Sequence, residues 1–138
     1  MEDGERRRVV VTGLGMVTPL GHDVASSWDG IVAGRSGIGP ITSFDPKDLE
    51  TKIAGEVKGF DPLLYMDRKE ARRTDRFAQF GLATAKQALD DAGYSFDRNA
   101  AEAGRAGVTW GSGIGGVGTL VDNIHVMIER GPDRISPF

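Results

Sequence analysis

Two stretches carry the residue types that could do chemistry. Arg68, Lys69, Arg72, Arg73 and Arg76 follow one another closely, and 69, 72, 73 and 76 have the spacing that puts them on one side of a helix. Such a face is either an ordinary solvated one, partly neutralised by Asp67, Glu70 and Asp75, or a site for an anionic partner. The second stretch is Val108-Thr-Trp-Gly-Ser-Gly-Ile-Gly-Gly-Val-Gly118, an apolar run that breaks into a glycine-rich turn before a helix. With so few side chains, its backbone can approach another surface closely and adopt positive φ. It is not a phosphate-gripping P-loop, because Gly113 to Gly118 leads directly to Thr119 with no lysine before it. It either lets strand and helix pack tightly or lines a substrate channel.

The remaining candidates for chemistry are weak. His22 stands among turn residues, where a solvated or capping role is expected, and His125 falls on the exposed side of the last helix. There is no cysteine, hence no disulfide, no thiolate metal site and no thiol nucleophile in these residues, and no metal site is expected.

The elements that must position these residues follow from periodicity. Val9-Val10-Val11 reads as a strand covered on both faces, as in a parallel sheet. Thr12-Gly-Leu-Gly15 opens like a dinucleotide-binding fingerprint, but Thr18 holds the third glycine position and Pro19 with Gly21 interrupts the helix required next. A first helix is expected from Asp23, its N-cap, to Gly34, burying Val24, Trp28 and Ile31. Residues 36–40 read as loop, and Ile53 and Val57 suggest a short strand.

Asp67 then opens the longest helix, with Glu70 completing a capping box and Gly93 closing it. Phe77, Phe80, Gly81, Thr84, Ala85, Ala88 and Ala92 form its buried side. Cations at that N-terminus would oppose the helix dipole at about 0.3–1 kcal/mol each, which makes an anionic partner a serious alternative to the ordinary solvated face. Arg105 to Trp110 reads as the strand feeding the glycine loop. Val117, Leu120, Val121, Ile124, Met127 and Ile128 form one buried stripe of the last helix, ended by Gly131-Pro132. The pattern is α/β.

Composition bounds the function. Seventeen basic residues against 20 acidic ones leave a net charge of −3 and no general footprint for nucleic acid. The acidic opening Met-Glu-Asp-Gly-Glu is no secretory signal, no run is long enough to span a bilayer, and the cytoplasm is the expected compartment.

Arg7-Arg-Val-Val-Val-Thr-Gly-Leu-Gly-Met-Val-Thr-Pro-Leu-Gly21, Thr51-Lys-Ile-Ala-Gly-Glu-Val57, Arg68-Lys-Glu-Ala-Arg-Arg73, Gly111-Ser-Gly-Ile-Gly-Gly116 and Arg134-Ile-Ser-Pro-Phe138 together resemble the N-terminal part of the β-ketoacyl-acyl carrier protein synthases, the elongating condensing enzymes of bacterial fatty acid synthesis. The Ile114-bearing loop and the segment from Arg72 are similar to the type II rather than the type I enzymes. The resemblance implies a thiolase-like fold, two α/β halves in a layered αβαβα structure that works as a homodimer, with residues 1–138 an incomplete N-terminal ketoacyl-synthase domain. It implies decarboxylative Claisen condensation of an acyl thioester with malonyl-carrier protein. The family's cysteine nucleophile, two histidines and lysine lie beyond Phe138, and His22 and His125 match none of them, so these residues alone are expected to be inactive.

By position, Ile114 matches the residue that gates or lines the acyl tunnel, Gly113 adjoins it, and Phe138 matches a segment near the dimer interface and tunnel. Lys69, Arg72 and Arg73, with Arg134, match the basic patch that docks acidic acyl carrier protein; Asp133 stands where another basic residue is common. No cofactor of the enzyme's own is implied, since phosphopantetheine arrives on the carrier protein. A polyketide ketosynthase, or a non-catalytic subunit like a chain-length factor, is the alternative within the same fold. A nucleotide-binding domain would instead be protected from heat by NAD or ATP, and no such protection is expected.

Overall fold

The computed structural model describes residues 8–95, 97, 99 and 103–136. Its first helix, α1 (Val24–Val32), begins where expected: the Asp23 carboxylate accepts from the Ser26 backbone N–H and from its hydroxyl, both at 2.7 Å. The backbone bond, with the hydroxyl bond second, holds Asp23 below the usual carboxylate pKa. The buried face differs from the expected one. Trp28 is 60% exposed and Ile31 is also exposed, whereas Ser27 and Gly30 are buried. The face that α1 buries meets the turn from Thr18 to Gly21, with Gly30 against Leu20 and Ser27 against Thr18. Thr18 and Gly21 close that turn with a 2.8 Å bond from the Thr18 N–H to the Gly21 carbonyl, and the Ser27 hydroxyl pairs with the Thr18 hydroxyl at 2.9 Å. A turn, rather than a helix N-terminus, follows Gly15, which removes the dinucleotide-binding geometry.

Two short strands, β1 (Gly39–Pro40) and β2 (Ile53–Ala54), pair antiparallel with Gly39 opposite Ala54 and Pro40 opposite Ile53. A strand forms at Ile53 as expected but stops at Ala54, leaving Val57 outside it, and its partner lies in the stretch read as loop. Pro40 has no N–H to extend the ladder.

The long helix expected from Asp67 to Gly93 is two helices, α2 (Arg68–Ala71) and α3 (Arg76–Asp91). Asp67 caps the first through the Glu70 N–H at 2.8 Å. The break between them follows from side chains that compete for backbone carbonyls. The Thr74 hydroxyl donates to the Glu70 carbonyl at 2.7 Å, and the Gln79 amide donates to the carbonyls of Ala71 and Thr74, both at 2.9 Å.

This break overturns the dipole expectation. Lys69 and Arg72 stand at the C-terminal end of α2, where cations are favoured, and Arg73 follows in the turn. Only Arg76 opens a long helix, and it is occupied structurally: its guanidinium donates to the Val57 carbonyl at 2.6 Å and lies 4.8 Å from the centre of the Phe80 ring.

The small residues of α3 do receive another segment, but not a sheet strand. Leu14 N–H donates to Asp91 and Met16 N–H to the Gln87 side-chain carbonyl, each at 2.9 Å, laying residues 13–16 along α3. The approach is so close that a side chain at Gly15 would collide with the Thr84 carbonyl. Val9–Val11 pairs in no ladder, with Val9 94% exposed, and Arg105–Trp110 likewise forms no strand. A strand requires a partner's backbone, and among the described residues β1 and β2 are the only paired strands.

Among the described residues the buried apolar side chains are Phe60, Met66 and Ala83. Phe60 meets the Phe80 ring edge-on at 4.9 Å, stacks on Tyr65 and receives the edge of His22, whose Nε2 is 2.9 Å from the Lys58 carbonyl. His22 is thus part of a packed aromatic group rather than a free surface side chain. The last helix, α4 (Val117–Arg130), ends at Gly131 with φ +89° as expected. Its apolar stripe, however, is exposed along its length, reaching 74% at Ile128, because no described element covers that face.

Candidate functional site

The glycine loop is shaped by two local devices. The Ser112 hydroxyl accepts from the Gly115 N–H at 3.0 Å, and Gly115 takes φ +77°, reversing the chain. The Gly116 carbonyl then accepts from the Leu120 N–H at 3.0 Å and starts α4. Ile114 sits at the tip and is 84% exposed, and a side chain at Gly113 would meet open space. The loop therefore presents one branched apolar side chain flanked by bare backbone.

The base of the loop is held from the α2–α3 turn. Asp75 occupies the position before α3 but makes no side-chain cap there; its carboxylate accepts instead from the Thr119 hydroxyl in the first turn of α4. A methyl group at Gly116 would meet that carboxylate and force it to shift, so the close approach rests on glycine here without a positive φ. Trp110, which leads into the loop, lies against Gly81 of α3.

Beside this junction is a cleft of about 250 Å³ lined by Arg72, Arg73, Asp75, Thr119, Asp122 and Ser136, among others. Ser136 is brought there by the turn Pro132–Arg134 and by its N–H, which donates to the Asn123 side chain at 3.2 Å. Of the basic residues singled out in the sequence, Arg72 and Arg73 share this cleft, while Lys69 and Arg134 are exposed outside its lining. Phe138 lies outside the described residues. Sequence reasoning missed Asp75, Thr119 and Asp122. The first two face each other only after folding, and the sequence reading places Asp75 inside one long helix, where it counts only as a neutralising charge.

The model of the β-ketoacyl synthase N-terminal domain matches residues 6–138, nearly the whole chain. The chain belongs to the β-ketoacyl synthase family. Among curated relatives, 3-oxoacyl-[acyl-carrier-protein] synthase 2 of Coxiella burnetii is 48% identical over 97% of this chain and 32% of its own length. The enzyme of the same name from Synechocystis sp. is 46% identical over 100% of this chain and 33% of its own. The solved structure titled "The ishigamide ketosynthase/chain length factor" superposes with a TM-score of 0.78 at 30% identity, covering 96% of this chain and 33% of the other.

This β-ketoacyl synthase chain thus spans about a third of the length of the curated relatives it matches. Its fold is the N-terminal part of the thiolase-like ketosynthase fold, as the sequence motifs implied. Among the described residues no cluster of histidine, aspartate and glutamate is placed to hold a metal ion, and no helix is long and apolar enough to cross a membrane.

Proposed function

We propose that this chain is the N-terminal segment of a 3-oxoacyl-[acyl-carrier-protein] synthase 2 that elongates fatty acids in the cytoplasm as a homodimer. The observation that carries the reading is identity of 46–48% with relatives of that name over 97–100% of this chain. In this reading Ile114, with Gly113 beside it, lines the acyl tunnel, and Phe138 borders it. Lys69, Arg72, Arg73 and Arg134 dock the acidic carrier protein, which brings its own phosphopantetheine, so the enzyme needs no further cofactor.

The reaction transfers an acyl group from carrier-protein phosphopantetheine to a cysteine thiolate, releasing the carrier's thiol. Malonyl-carrier protein then loses carbon dioxide, and the resulting carbanion attacks the acyl-cysteine thioester and expels the cysteine thiolate. That chemistry needs an activated thiolate and donors for the developing oxyanion. This sequence contains no cysteine, so the nucleophile belongs to the part of the enzyme outside these residues.

The test is to express the 138-residue chain and the complete reading frame side by side and to follow malonyl-carrier protein decarboxylation and acyl elongation. Elongation by the complete enzyme and none by the shorter chain is expected. A second reading, a non-catalytic partner of a ketosynthase, has in its favour the superposition on a ketosynthase/chain length factor structure. An inert residue at the nucleophile position of the complete frame would establish that reading and remove the first.

A further inference from the structure

We infer that Asp75 is a positioning residue that fixes the Ile114 loop to the arginine-bearing turn, so that whatever docks on Arg72 and Arg73 bears on the loop through one hydrogen bond. An aspartate immediately before a helix ordinarily accepts from amide groups of that helix's own first turn. Asp75 has the extended backbone of such a residue, φ −65° and ψ 156°, yet its carboxylate is turned to Thr119, far along the chain in α4. Thr119 and Gly116 both belong to the exit of the loop, and the carboxylate bonds to one and packs against the other.

The loop needs such an anchor. Four of the six residues from Gly111 to Gly116 are glycine, which carries the largest conformational entropy of any residue. Its internal bond from Gly115 to Ser112 shapes the turn but ties it to nothing else. Asp75 and Thr119 are both partly buried, which favours a persistent bond over a solvated one. Arg72, Arg73 and Asp75 also line one cleft with Thr119, so the turn and the loop exit share a wall. The anchor stands on this geometry; its consequence for acyl donors rests on the proposed role of Ile114 in the tunnel.

The experiment is hydrogen exchange on the complete enzyme and its D75A, D75N, T119V and T119S variants, followed by acyl-donor kinetics. D75A and T119V should each speed exchange of the amides between Ser112 and Leu120 by roughly tenfold or more, leaving α1 unchanged. D75N and T119S retain an acceptor and a donor and should exchange like the parent. The double variant D75A/T119V should be no faster than the faster single one, because both remove the same bond. Unchanged loop exchange in D75A and T119V, or acceleration spread evenly through the chain, would overturn the inference. In the complete enzyme, D75A should alter the kcat/KM ratio of long to short acyl donors, whereas D75N, which loses the same charge but keeps an acceptor, should leave that ratio like the parent's. A loosened loop with an unaltered ratio would uphold the anchor and remove the tunnel role of Ile114.

Discussion

The Thr42 hydroxyl donates to the Glu56 carboxylate at 2.7 Å, and the same carboxylate accepts from the N–H groups of Thr42 and Ser43. These bonds, the Thr42 hydroxyl first among them, lower the Glu56 pKa to about 2. They tie the chain after β1 to the chain after β2 on a surface that has very little sheet to hold it. The folded carboxylate therefore titrates below its unfolded value of 4.5, so its contribution to stability is complete above that value and is lost as pH falls toward 2. The Thr42 amide resonance should follow a titration with a midpoint near 2, and in T42A the Glu56 midpoint should move up toward 4.5. A midpoint near 4.5 in the parent chain would show that the clasp is not formed in solution.

Gly15 and Gly113 should respond oppositely to the same change. A methyl group at Gly15 meets the Thr84 carbonyl on α3, a rigid obstacle, whereas at Gly113 it meets open space. G15A should cost about 1–3 kcal/mol in urea unfolding, the range of overpacked sites, and G113A should fall within about 0.5 kcal/mol of the parent. Equal effects would mean that residues 13–16 do not lie along α3.

Ser27 is fully buried with its hydroxyl between the Thr18 hydroxyl and the Gly21 carbonyl. S27A removes that bridge and leaves both partners one bond short, a loss of about 1–3 kcal/mol. S27V adds bulk at the same place and should be worse. Thermal unfolding of the two variants beside A25V, at an exposed position of α1, separates the bridge from helix propensity.

What was legible in the sequence was local. Asp23 and Asp67 cap the helices that they precede, and Gly131 ends α4, because each depends on residues within one turn. The apolar patterns of Val9–Val11 and of α4 were equally clear, yet these residues are exposed, because burial depends on a partner surface that no described residue supplies. The break at Thr74-Asp75 escaped notice because it is made by the Thr74 hydroxyl and the Gln79 amide, both compatible with an uninterrupted helix. In the site, the glycine loop and arginines stood out by composition, while the bond joining them runs between Asp75 and Thr119 and has no sequence signature.

Charge in the cleft gives a prediction with two signs. Arg72 and Arg73 line it with Asp75 and Asp122, so the surface proposed for an acidic carrier protein holds two attractive charges and two repulsive ones. In the complete enzyme, R72E and R73E together should raise the KM for acyl-carrier protein by roughly tenfold or more, since each reversal removes on the order of 1 kcal/mol of attraction and adds repulsion. D122N removes a like charge and should lower that KM. Both effects should shrink together as salt is raised, because exposed charges are screened over about 10 Å at 0.1 M. A contribution from loop geometry alone would not depend on salt, and would not change sign between the arginine reversals and D122N. If D122N raised KM, or if R72E/R73E left it unchanged at low salt, the carrier protein would have to dock elsewhere, and the cleft would lose its assigned role.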